Sequence, residues 1–101
     1  MSTILVTGAT GNVGSQVVRE LRSRDAPTRA FVRDPEKAGF VLGDDVEPAV
    51  GDFANATSLR RALDGVETVF LTSADGPRKV EHETAVIDAA AAAGVSRIVK
   101  L

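Results

Sequence analysis

The chain contains no cysteine, no tyrosine and no tryptophan, and its single histidine is His82. Lack of cysteine removes disulfides, thiolate metal sites and cysteine nucleophiles together, and suits a chain that needs no oxidising compartment. With no tyrosine and one imidazole, the menu of side-chain acids and bases is short. No apolar run approaches the roughly 20 residues that span a bilayer. The start, Met1-Ser2-Thr3-Ile4-Leu5-Val6, lacks the basic segment and cleavage-site pattern of a signal peptide. The expectation is a cytoplasmic protein with no membrane partner and no metal.

What is present is an ordinary globular composition: 101 residues, 44% hydrophobic and 26% charged, apolar enough for a core and too balanced for disorder. The length fits one domain. A net charge of −2 gives no reason to expect a nucleic-acid partner, but the charge is unevenly placed. Residues 1–33 carry Arg19, Arg22, Arg24, Arg29 and Arg33 against Glu20 and Asp25, a net +3, and the remainder carries −5. Two solvated faces explain this simply; an anion site in the first third is the sharper explanation.

Short apolar runs alternate with amphipathic stretches. Thr3 to Thr7 is a continuous, largely β-branched run, as in a strand buried on both faces. From Asn12 to about Ser23 the period becomes helical, with Val13, Val17, Val18 and Leu21 on one stripe. Ala26-Pro27 breaks it, and Thr28 to Arg33 reads as a second strand. Asp34-Pro35 is a cap followed by proline at the first helical position, opening a short helix to about Leu42. Val46 to Val50 is a third strand whose Pro48 predicts an edge position.

Asn55 or Thr57 caps a helix through Leu59, Ala62 and Leu63, closed near Gly65. Val66 to Thr72 is a fourth strand. Pro77 to Ala93 is the longest helix, with Val80, Thr84, Ile87 and Ala91 on one face, and Ser96 to Leu101 is a fifth strand. The alternation predicts an α/β fold with a parallel sheet in the order 3-2-1-4-5 and right-handed crossovers. Ligands of such sheets bind at the carboxyl ends of the strands, beside the switch between strands 1 and 4.

At that switch lies Thr7-Gly8-Ala9-Thr10-Gly11-Asn12-Val13-Gly14, with glycines spaced G-x-x-G-x-x-G between a strand and a helix. Gly8 permits the tight turn, Gly11 lets a phosphate approach the backbone, and Gly14 lets the helix lie close on the sheet. N–H groups at the helix start then face a pyrophosphate. A phosphate-binding loop of the NTPase type is excluded, because Gly14-Ser15-Gln16 stands where Gly-Lys-Ser/Thr is needed.

The end of strand 2 meets the adenosine ribose, where an acid selects NAD and an arginine accommodates the 2′-phosphate of NADP. Arg33 stands there, so NADP is expected over NAD. Asp34 follows directly and either accepts from a ribose hydroxyl or caps the next helix. After strand 3, Asp52 can accept from the adenine amine and Phe53 offers an apolar wall. Thr72-Ser73 ends strand 4, where small hydroxyl residues can pass under the nicotinamide-side ribose or phosphate; Ser73 equally suits a cap. His82, between Glu81 and Glu83, reads as a solvated residue on the polar side of its helix, without a role.

Taken together, Thr7 to Gly14, Val32-Arg33-Asp34-Pro35, Gly51-Asp52-Phe53, Leu63 to Phe70, and Ala89 through Val95-Ser96-Arg97-Ile98-Val99 resemble the NmrA-like, atypical short-chain dehydrogenase/reductase family. The resemblance runs through the whole chain. It implies a Rossmann-type NAD(P)-binding domain over residues 1–101, matching the N-terminal part of an NAD(P)H-dependent, quinone-oxidoreductase-like protein. It implies phosphate contacts at Gly8, Thr10, Gly11, Asn12 and Val13, with Arg33 at the 2′-phosphate or adenine. Asp52 and Phe53 fall at adenine, and Thr72 and Ser73 near the ribose.

Catalytic residues do not carry over, because family members extend further and no Tyr-x-x-x-Lys occurs here. The expected activity of the parent protein is hydride transfer to a small electrophile such as a quinone or carbonyl. The alternatives are a redox-sensing regulator that binds the dinucleotide without turnover, and an isolated Rossmann fragment with no turnover of its own. A sheet ending at strand 5 would leave Ile98, Val99 and Leu101 on an open edge, so self-association through that edge is a further expectation.

Overall fold

The structure is a computed structural model that describes residues 3–43, 46–72 and 76–100. Ser73 and Leu101, which figure in the expectations above, lie outside the described residues. The elements alternate as β1 (Thr3–Val6), α1 (Asn12–Ser23), β2 (Thr28–Val32), α2 (Pro35–Leu42), β3 (Glu47–Val50), α3 (Ala56–Ala62), β4 (Val66–Leu71), α4 (Lys79–Ala93) and β5 (Arg97–Lys100). All pairings are parallel, in the order β3-β2-β1-β4-β5. This Rossmann-like arrangement is the one the alternation of patterns predicts.

β1 is apolar from Ile4 to Val6 because helices cover both its faces. Leu5 and Val6 are both fully buried but belong to different cores. Val6 packs with Val18, Ala30, Val32 and Leu42 beneath α1 and α2. Leu5 packs with Phe31, Leu59, Leu63, Val69 and Val86 beneath α3 and α4. Helices divide between the faces in this way when every crossover is right-handed, since the strand order runs one way for α1 and α2 and the other for α3 and α4.

Local chemistry sets the boundaries. The Asp34 carboxylate accepts from the N–H groups of Glu36 and Lys37 at 3.0 and 3.3 Å, with Pro35 at the first helical position of α2. Of the two capping candidates for α3, Asn55 does the work, its side chain accepting from Ser58 N–H at 3.1 Å. Pro48 lies on β3, an edge strand, where its missing N–H leaves no gap in a central ladder. Among the described residues, no helix is long and apolar enough to cross a membrane.

Two expected faces differ from those observed. On α1, Val18 is buried and Val17 and Leu21 pack against the core as expected, but Val13 is 53% exposed and Gly14 and Ser15 are buried on the inner side. On α4 the expected apolar face looks outward, with Val80 at 76% and Ile87 at 44% exposure, while Glu83, Val86 and Ala90 are buried. An acid sits on the inner face because Lys100 and Lys79 approach its oxygens at 3.1 and 3.7 Å, which offsets the desolvation of the carboxylate. The ion pair to Lys100 also ties α4 to β5.

Candidate functional site

β1 ends against β4 at a two-way clasp. Thr7, fully buried, donates through Oγ1 to the Thr72 carbonyl at 2.9 Å and accepts from Thr72 N–H at 3.1 Å. The clasp spans the point where the strand order reverses, and it holds the start of the glycine loop at a fixed height. Gly8 follows with φ +62°, a left-handed conformation that glycine adopts without cost, and a methyl group there would lie 2.7 Å from the Thr72 carbonyl oxygen.

The loop then folds back on itself. Gly11 N–H donates to the Gly8 carbonyl at 3.0 Å, and Ser15 N–H to the Gly11 carbonyl at 2.9 Å. A methyl group on Gly14 would overlap the Gly8 carbonyl oxygen and lie 2.7 Å from its carbon. The first turn of α1 is therefore pressed directly onto the loop, backbone against backbone. Gly11 caps that helix with no side-chain bond and no acid stands in its first turn, so its leading N–H groups and positive dipole end face the space above the loop.

That space is a groove of ≈ 540 Å³ along the carboxyl ends of the strands. The structure brings together nine of the eleven residues expected there: Gly8, Thr10, Gly11, Asn12, Val13, Gly14, Arg33, Phe53 and Thr72. Ser73 is outside the described residues. Asp52 is exposed and does not line the groove; its Oδ1 accepts from Ala54 N–H at 2.8 Å, and its backbone N–H and carbonyl both bond the Ser58 hydroxyl at 3.1 Å. Arg33 lies exposed at the rim, and among the described residues it makes no ion pair.

Three lining residues were missed from the sequence: Ala9, Phe31 and Val32. Phe31 reads as plain core in a strand pattern, and nothing local shows that it also walls the groove. Thr7 was legible only as the last residue of a strand, since its partner is 65 positions away. His82, expected to be solvated, is half-buried and stacked on Phe53 with ring centroids 5.0 Å apart and planes at 19°. Phe53 in turn meets Phe31 at 5.4 Å.

The residues fit a dinucleotide. A glycine cradle that a single Cβ would fill, a helix start with no side-chain cap bond and a guanidinium at the rim are groups whose chemistry suits an anionic ligand. The described lining holds no carboxylate, imidazole or amine.

Fold and site thus define a nucleotide-binding α/β domain, and comparison with known proteins agrees. The family model described as NAD(P)H-binding matches residues 8–101, and the chain belongs to that family. It is 42% identical over 96 residues to the NAD(P)H azoreductase of Xenophilus azovorans, covering 95% of this chain and 34% of that protein. It is 46% identical over 98 residues to a (4-alkanoyl-5-oxo-2,5-dihydrofuran-3-yl)methyl phosphate reductase of Streptomyces griseus, covering 97% and 33%. Among solved structures, the NADPH complex of an Escherichia coli NADPH-dependent quinone oxidoreductase superposes with a TM-score of 0.84 at 34% identity, covering 96% of this chain and 35% of that one. The chain spans about a third of the length of these relatives.

Proposed function

We propose that this chain is the NADP-preferring, dinucleotide-binding portion of an oxidoreductase of the NmrA-like, atypical short-chain dehydrogenase/reductase type. In it, Gly11, Asn12 and Val13 hold the pyrophosphate, Arg33 the 2′-phosphate, Phe53 the adenine, and Thr72 with Ser73 the nicotinamide-side ribose. When bound, the reduced dinucleotide supplies a hydride; the protein supplies position and electrostatics. The acceptor class is a small electrophile such as a quinone or carbonyl, in keeping with the azo- and quinone-reducing relatives.

The observation that carries the cofactor preference is the division of labour between two adjacent residues. Arg33 lines the groove, whereas Asp34 lies outside its described lining and accepts with Oδ1 from two N–H groups of α2, as a helix cap does. Isothermal titration with NADPH and NADH tests it: NADPH is expected to bind more tightly, and Arg33→Ala to abolish the difference. Equal affinities in the unmodified chain would overturn the preference.

A redox-sensing regulator that binds the dinucleotide without turnover is the second reading, and a cofactor-binding groove of this kind serves it as well as the enzyme. Tight binding of the oxidised dinucleotide without turnover of NADPH against a quinone panel would select it over the enzyme. The absence of cysteine supports a cytoplasmic setting. Self-association through β5 is part of the same proposal, and sedimentation at high concentration tests it.

A further inference from the structure

We propose that His82 is a positioning residue for the adenine end of the groove, acting through Phe53. Three rings, Phe31, Phe53 and His82, run from β2 across the loop after β3 to the first half of α4. Phe31 and Phe53 line the groove; His82 does not. The Phe31–Phe53 contact is tilted at 57°, whereas Phe53 and His82 lie nearly parallel at 19°. The imidazole therefore covers a face of the Phe53 ring and sets the plane of the groove wall.

That wall needs support because there is space behind it. Phe53 also borders a second cleft, ≈ 460 Å³, between α3 and α4, lined by His82 itself, Leu59, Arg60 and alanines such as Ala54 and Ala89. Phe53 packs against the core that contains Phe31 and Leu59, and on the cleft side its ring is flanked by His82 and the alanines of α4. On the α4 side, His82 is the one aromatic ring stacked on Phe53 among the described residues. Without the imidazole, the Phe53 ring is free to turn into this cleft, widening the groove where a flat base would lie. Rotamer freedom gained in the free protein is then lost on binding, which weakens affinity without any direct contact between His82 and the ligand.

The inference rests on the groove holding a dinucleotide, as proposed above, so the experiment has an arm that needs no ligand. In the unliganded chain, the His82 ring protons carry a ring-current shift from Phe53 that Phe53→Leu removes; unshifted protons would overturn the stack itself. In calorimetric titrations, His82→Ala weakens NADPH and 2′,5′-ADP by the same factor, about two- to twelvefold for the loss of one aromatic pair. His82→Phe, which keeps a ring, restores both. In the Phe53→Leu background, His82→Ala has no further effect.

Unchanged affinities in a folded His82→Ala chain would overturn the proposal. So would a loss for NADPH that 2′,5′-ADP does not share, or a loss that His82→Phe does not repair. If the stack is present but the unmodified chain binds neither ligand, the reading of the groove fails, and the positioning role with it.

Discussion

Thr7 and Thr72, 65 positions apart, exchange two hydrogen bonds through a single hydroxyl, at 2.9 and 3.1 Å. This ties the ends of β1 and β4 together at the base of the groove. The hydroxyl satisfies a backbone donor and a backbone acceptor beyond the last rung of the β1–β4 ladder, in a site with no exposure at Thr7. Thr7→Val keeps the shape and removes both bonds. It is expected to destabilise the fold by about 1–3 kcal/mol, because two half-buried backbone groups of Thr72 lose their side-chain partner. Urea unfolding of the variant measures this, and Thr7→Ser, which retains the hydroxyl, should recover most of the loss.

Gly14 is the position where the loop and α1 touch backbone to backbone. Gly14→Ala places a methyl group on the Gly8 carbonyl, and neither side can move without shifting the helix or the loop. The expected cost is about 1–3 kcal/mol of stability. Affinity for NADPH should fall further than stability, since the displaced atoms belong to the phosphate cradle. Thermal unfolding and calorimetric titration of the same variant separate the two effects.

Glu83 is buried with Lys100 and Lys79 at its oxygens. Glu83→Gln retains the volume and removes the charge. Because both lysines are partly exposed and can return to water, the expected loss is about 1 kcal/mol rather than the larger cost of stranding a buried charge. The loss should shrink at high salt in urea unfolding of wild type and variant.

Most of the fold is legible in the sequence because the patterns that specify it are local. The β-branched run at Thr3–Val6, the Asp34-Pro35 cap and the glycine spacing each state their own geometry, and Pro48 marks its strand as an edge. The register of α4 is not legible. Its last third is Ala89 to Ala93, where neighbouring positions differ too little in hydropathy to fix the phase of the helix. The decisive inner residue is an acid whose counter-ion Lys100 lies on another element.

The site divides in the same way. Gly8, Gly11, Gly14 and Arg33 are readable because sequence neighbours define their setting. Asp52 is readable as a loop acid, but its engagement with Ala54 and the α3 cap is not, because it depends on how the turn closes around Ser58. His82 gives no local signal, since the ring it covers arrives from the loop after β3.

The central claim is that the glycine loop and the start of α1 receive the pyrophosphate of a bound dinucleotide. Amide chemical-shift mapping of the isotope-labelled chain, titrated with NADPH, tests it most directly. The account predicts the largest changes at the N–H groups of Gly11, Asn12, Val13 and Gly14, with a second set around Arg33. Changes concentrated at Arg60, Ala89 and Ala92 in the cleft between α3 and α4, with the loop amides unmoved, would contradict it.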